Sequence, residues 1–258
     1  MTGWGALESE LDAWAAASKR ATLWWRDDDA AADCPALEKL LALAEGEKVP
    51  LAIAAIPAEL REAAVARINA SPAPGLAVLQ HGYAHSNHAR EGEKKIELGG
   101  ANPAPECTAH LHIGREILLE RFTERFLPAL VPPWNRIDPG LIKQLPALGY
   151  TSFSTYGARQ SRQPAPGLKQ INCHIDILNW RQDASFLGET EVLKLVCDHL
   201  EARRLGDVDA DEPSGLLSHH LRQDELAWQF LAEFLARTAA HPGTEWLNPG
   251  ALFGEVTS

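Results

Sequence analysis

The residues best suited to chemistry sit in two short runs. The first, WWRDDDAAAD (24–33), sets Asp27, Asp28 and Asp29 side by side after a strongly apolar stretch. Adjacent carboxylates repel one another, and at the rim of a core they favour sharing a proton or a cation. The same run could instead be a solvated loop, with Asp33 capping the next helix. The second run, QHGYAHSNH (80–88), holds His81 and His85 four residues apart. On a helical turn that spacing puts both imidazoles on one side, where they can offer two nitrogens to a zinc-like ion. Surface helices carry such pairs as well, and His88 reads as a neighbour rather than a ligand. Two histidines plus a carboxylate leave positions open for water, and a second carboxylate alongside can act as a general base. The combination reads as a metal-dependent hydrolase.

Groups so far apart in sequence meet only if strands end at them. Strand-like apolar runs occur at 21–26, 50–57, 75–82, 150–157 and 215–220, with a further apolar stretch at 127–134. Helical patterns fill 35–47, 58–70, 111–126, 139–148, 189–204 and 224–240, and 90–105 reads as a long polar loop. This alternation predicts a parallel α/β architecture. Its active-site face lies at the carboxyl ends of the strands, where the acid run, His81 and the His219-His220 pair all fall. Residues 1–20 are expected to form a helix packed on the rest of the fold through Leu7, Leu11 and Trp14, and residues 21–258 a single domain.

The formal net charge of −11 argues against nucleic acid as a partner. No stretch approaches the roughly 18 apolar residues of a membrane span, and the N-terminus does not read as a secretory signal. The four cysteines lack any CxxC spacing and are expected to be reduced and mostly buried. A cytoplasmic location is expected, with no membrane partner.

Five motifs occur in order: Asp28-Asp29, His81 to His85, VPPW (131–134), Asp176 to Trp180, and Leu217-Ser218-His219. Together they resemble the polysaccharide deacetylase family, also called carbohydrate esterase family 4, over roughly residues 22–220. The resemblance implies a distorted, TIM-like (β/α) barrel, expected here to have seven strands. It implies Asp29, His81 and His85 as metal ligands and Asp28 as the base that takes a proton from the attacking water. It places the backbone N–H of Trp134 beside the oxyanion and gives His219 the task of protonating the departing amine. The cofactor implied is a divalent ion, zinc first, with cobalt, manganese, nickel or iron as alternatives.

The chain departs from the family pattern in several places. The triple acid leaves the register open by one, with Asp27 as base and Asp28 as ligand. Val131 stands where an arginine usually orients the base, and Arg26 or Arg136 could substitute. Asn179 replaces the second acid of the Asp176–Trp180 motif, and His220 could serve in place of His219. Elsewhere, Trp14, Trp24, Trp25 and Trp228 suit the core, while His110, His112, His199 and His241 suit the surface. His174 lies in a strand near Asp176, and 91–95 reads as a solvated face.

The expected activity is hydrolysis of a C–N amide bond other than a peptide bond, as in deacetylation of an N-acetylated sugar. The partner is then a small-molecule or oligosaccharide amide. One alternative is cleavage of an ester or cyclic amide on the same fold. Another is an inactive relative serving as a binding or regulatory module, a reading that the missing motif arginine favours.

Overall fold

The computed structural model describes residues 3–181 and 183–254. Its strands are β1 (Ala21–Ala30), β2 (Ala52–Ala55), β3 (Ala77–His81), β4 (Phe126–Val131), β5 (Ser152–Phe153), β6 (Lys169–Gln170), β7 (Ile175–Asp176), β8 (Leu178–Asn179), β9 (Ser185–Phe186), β10 (Ser214–Ser218) and β11 (Thr244–Trp246). Its helices are α1 (Trp4–Ala16), α2 (Pro35–Glu47), α3 (Glu62–Ala70), α4 (Ala104–Phe122), α5 (Pro139–Ile142), α6 (Glu189–Leu205), α7 (Glu225–Ala240) and α8 (Pro249–Phe253).

The main sheet runs β6-β5-β4-β3-β2-β1-β10-β7, with β11 added at the start of β1. Every pairing in it is parallel. It has nine strands among the described residues rather than the expected seven. Two details account for the difference. β6 and β7 are pieces of one segment, which pairs with β5 at one end and β10 at the other and so curls the sheet into a barrel. Thr244–Trp246, which carried no strand pattern long enough to read, adds the ninth.

Side chains alternate across a strand, so the two neighbouring tryptophans of β1 part company. Trp25 joins the layer between sheet and helices, with Leu40, Phe234 and Val196. Trp24 points into the barrel with Leu79, Val131 and Leu217, and Phe253 of α8 meets its ring edge-on at 5.1 Å. α1 buries Leu7, Leu11 and Trp14 in the outer layer.

Prolines explain most shifted boundaries. α4 starts at Ala104, because Pro105 falls in its first turn, where a missing N–H costs nothing. The expected helix over 58–70 starts only at Glu62, after a tight turn at Pro57–Glu59. The one expected over 139–148 is divided into α5 and a turn at Pro146–Leu148. All four cysteines are free; Cys107 and Cys173 are buried, and Cys34 and Cys197 are half-buried.

His199 is not a surface residue. It lies on the inner face of α6, stacked on buried His174 with ring centroids 3.8 Å apart, and its Nδ1 sits 2.9 Å from Ser214 Oγ. Arg203, one turn further along α6, is also buried and donates to Thr22 O and Ser214 Oγ at 2.9 and 3.0 Å.

Candidate active site

Strand alternation divides the acid run. Asp27 faces the helix layer, as Trp25 does, where its carboxylate accepts from Ser218 Oγ and from the backbone and Nδ1 of His220. Arg26 and Asp28 face the barrel interior. At Asp29 the β1–β2 register shifts and φ turns to 72°, so the chain breaks alternation. Asp29 then points over the strand end to the histidines.

His81 closes β3, and its Nδ1–H donates to Val131 O at 3.0 Å. That bond fixes the tautomer and leaves Nε2 directed at Asp29 Oδ1, 3.1 Å away. His85 Nε2 approaches the same oxygen at 3.4 Å. One ligand atom from each of the three residues fits within a 4.8 Å cluster. The two histidines do not share a helical turn. After β3 the chain is an irregular loop with φ of 54° at Gly82 and 53° at His85. Buried Glu97 holds this loop by accepting from Ala84 N at 2.7 Å and Tyr83 N at 3.2 Å. A Cβ at Gly82 would lie 2.0 Å from Glu97 Oε2, so the loop closes this tightly only with glycine there.

The electrostatics favour a cation at the cluster. Burial pushes the Asp29 carboxyl up, but the bond with His81 and the charges of His81, His219 and His85 outweigh it and hold the group well below the usual carboxylate range. Burial, reinforced by the charge of His81, keeps the His85 imidazole below its ordinary value. Burial also opposes charge on His81, but Asp28 and Asp29 overcome it and draw positive charge to this point. An ionised carboxylate and imidazole nitrogens converging on one space are the donor set of a divalent metal, and these residues fit one.

Asp28 is held apart from that cluster. Arg26 grips it with Nε at 2.8 Å from Oδ1 and Nη2 at 3.0 Å from Oδ2. The guanidinium is itself fixed by Ser154 Oγ and Asn135 Oδ1, each at 2.7 Å. Of the two arginines named as candidate replacements, Arg26 is the one that contacts Asp28. Arg136 lies outside the site, donating to Lys95 O at 2.9 Å.

Across the barrel mouth, His219 Nε2 lies 4.0 Å from Asp28 Oδ2. Trp180 meets the His219 ring edge-on at 4.7 Å and donates Nε1–H to Asp176 Oδ2 at 2.7 Å. Burial raises the Asp176 carboxyl, only partly offset by His219 and by the N–H groups of Leu178 and Trp180. His220 is turned to the other side of the sheet, against Asp27. Trp134 packs its ring on His85 at 4.4 Å, and its backbone adopts φ 55°. Asp29, His85, Trp134 and Asn135 are all non-glycine residues with positive φ. Such strain gathers where a site over-determines the backbone.

Sequence reasoning missed Glu97, Asn135, Ser154 and Ser218. Glu97 sat in a stretch read as loop, and the other three are ordinary polar residues whose partners lie 109 to 193 positions away. The one local signal was the Asn that follows Trp134 at the turn after Pro132-Pro133.

No family model matches the sequence, and no curated protein matches it. Solved structures do. A peptidoglycan N-acetylglucosamine deacetylase superposes with a TM-score of 0.58 at 15% identity, over 92% of this chain and 90% of that one. The chitin deacetylase of the fungal pathogen Colletotrichum lindemuthianum gives 0.54 at 15% identity, over 92% and 89%. A family 4 acetyl xylan esterase from Clostridium thermocellum, in complex with a cobalt ion, gives 0.51 at 12% identity, over 90% and 90%. The chain has the fold of the carbohydrate esterase family 4 deacetylases, a distorted parallel (β/α) barrel.

Proposed function

We propose that the chain is a metal-dependent hydrolase that removes an acyl group from an amide nitrogen, with an N-acetylated sugar or related small amide as substrate. The observation that carries this reading is the separation of two carboxylates adjacent in sequence. Asp29 joins His81 and His85, whereas Asp28 is locked in the fork of Arg26 and faces His219 at 4.0 Å.

Asp29, His81 and His85 would hold the ion, which would supply Lewis-acid chemistry: a lowered pKa for water and polarisation of the acyl carbonyl. Zinc suits this donor set, and cobalt, manganese, nickel or iron fit it as well. Asp28 takes the proton of the attacking water. Arg26 keeps its carboxylate aimed. His219 donates the proton without which an amine is a very poor leaving group. The backbone N–H of Trp134 is the candidate donor to the developing oxyanion. Trp180, half exposed beside His219, offers an apolar wall for a sugar ring.

Ester cleavage is the second reading, since an acetyl xylan esterase shares the fold. Both are tested by acetate release from N-acetylglucosamine oligomers and from O-acetylated sugars, with zinc or cobalt added after chelation. Metal-dependent release from the amide is the expected result. Release from the ester alone would replace it with the second reading, and release from neither would leave a binding module.

A further inference from the structure

The Asp27–His220 pair is unused by the chemistry above, yet it is among the most completely buried polar contacts in the chain. Asp27 and His220 are 0% and 1% exposed. Both carboxylate oxygens are engaged. Oδ1 accepts His220 Nδ1–H at 2.5 Å, and Oδ2 accepts Ser218 Oγ–H at 2.6 Å and His220 N–H at 3.0 Å. Trp25 Nε1–H in turn donates to Ser218 Oγ at 2.8 Å.

The location gives this contact its meaning. Asp27 and Ser218 are the last paired residues of β1 and β10. Beyond them the ladder stops, and the Asp27 side chain takes over by capturing the N–H of His220. The next residue on each side is a reacting group, Asp28 after Asp27 and His219 before His220. The outer pair lies on the helix side of the sheet and the inner pair on the barrel side. Both bridge the same gap between strands. Any splaying of the strand ends would therefore change the spacing of base and acid directly, and a shift of about 1 Å in such a spacing can cost about 100-fold in rate.

We propose that Asp27 and His220 are positioning residues, a buried clamp that joins the ends of β1 and β10 and sets the distance between Asp28 and His219. The proposal rests on the roles assigned to those two residues above. Asp27 thereby gains a task distinct from metal binding and from general base catalysis, and His220 one distinct from that of His219.

The test compares an amide with an activated ester. Hydrolysis of an N-acetylated chitooligosaccharide needs a proton for its leaving amine, whereas an aryl acetate with a nitrophenol leaving group does not. In Asp27→Asn and His220→Ala, amide kcat should fall about 100-fold and aryl acetate kcat less than about tenfold, with amide KM little changed. His220→Gln keeps a side-chain N–H for Asp27 and should recover most of the amide activity. In the metal-free wild type, NMR should show a slowly exchanging, far-downfield His220 Nδ1–H that disappears in Asp27→Asn. Equal losses on both substrates, or no loss on either, would overturn the proposal. Wild-type protein inactive on both would instead sink the hydrolase reading. The clamp would then be judged by a crystal structure of Asp27→Asn, and an unchanged Asp28–His219 distance would overturn it.

Discussion

Arg26 and Asp28, two residues apart on one strand, form a close ion pair inside the barrel, with Nε 2.8 Å from Oδ1 and Nη2–H donating to Oδ2 at 3.0 Å. The pair is possible only because alternate residues of a strand share a face. The guanidinium therefore reaches the Asp28 carboxylate, the proposed base, from the same strand rather than from the Pro-Pro turn.

Arg26→Gln should remove the fork and leave a buried, uncompensated carboxylate. Breaking a buried pair from one side costs on the order of 3–5 kcal/mol, so a clear drop in urea midpoint is expected. Arg26→Lys should retain the charge but lose the two-point contact of the guanidinium, with milder destabilisation and a kcat reduced about tenfold or more. If Arg26→Lys matches wild type in both measurements, the fork has no orienting role.

Metal content would separate the proposed ligands His81 and His85 from the proposed base Asp28. Elemental analysis of protein loaded with zinc should find close to one ion in wild type and in Asp28→Asn, and much less in His81→Ala and His85→Ala. Turnover should be lost in all three variants. Equal metal in wild type and both histidine variants would rule out the cluster as drawn.

Glu97 should matter to the metal without touching it. It carries the loop from Gly82 to His85 by accepting two backbone N–H groups, and Glu97→Ala leaves those groups unpaired. Supporting partners of this kind typically influence metal affinity by about 10- to 100-fold. Competition with a zinc-binding dye should show a weakening in that range, while Glu91→Ala, on the exposed part of the same loop, should have no effect.

The pH dependence of stability should carry a signature of His199. Its burial, then the neighbouring His174 and Arg203, press its pKa down to about 3. The unfolded chain binds a proton near the ordinary value of 6.5, and the folded chain does not. Stability from this residue is therefore full above about pH 6.5 and falls steadily as pH drops toward 3. Urea titrations between pH 7.5 and 5 should show that loss, and His199→Gln should flatten the slope. An identical slope in the variant would assign the dependence to other groups.

The sequence by itself determined the cast and its order. Apolar runs of strand length, broken by helical periods, are local signals, so the parallel α/β design and the placing of acids and histidines at strand ends could be read directly. Within the acid run, local pattern left the register open by one and only the resemblance pointed to Asp29 as ligand and Asp28 as base, because the face each acid takes depends on pairing. Only the register shift between β1 and β2 turns Asp29 toward the histidines while leaving Asp27 behind the sheet and Asp28 within it. Likewise, i, i+4 spacing predicts a helical turn, yet the chain leaves β3 as a loop whose Tyr83 and Ala84 N–H groups are accepted by Glu97, 14 and 13 residues away. The choice of Arg26 over Arg136 followed from which side chain shares the barrel interior with Asp28. Residue type and period are properties of a short segment. Which face a group takes, and what meets it there, is set by contacts between segments that only the folded chain brings together.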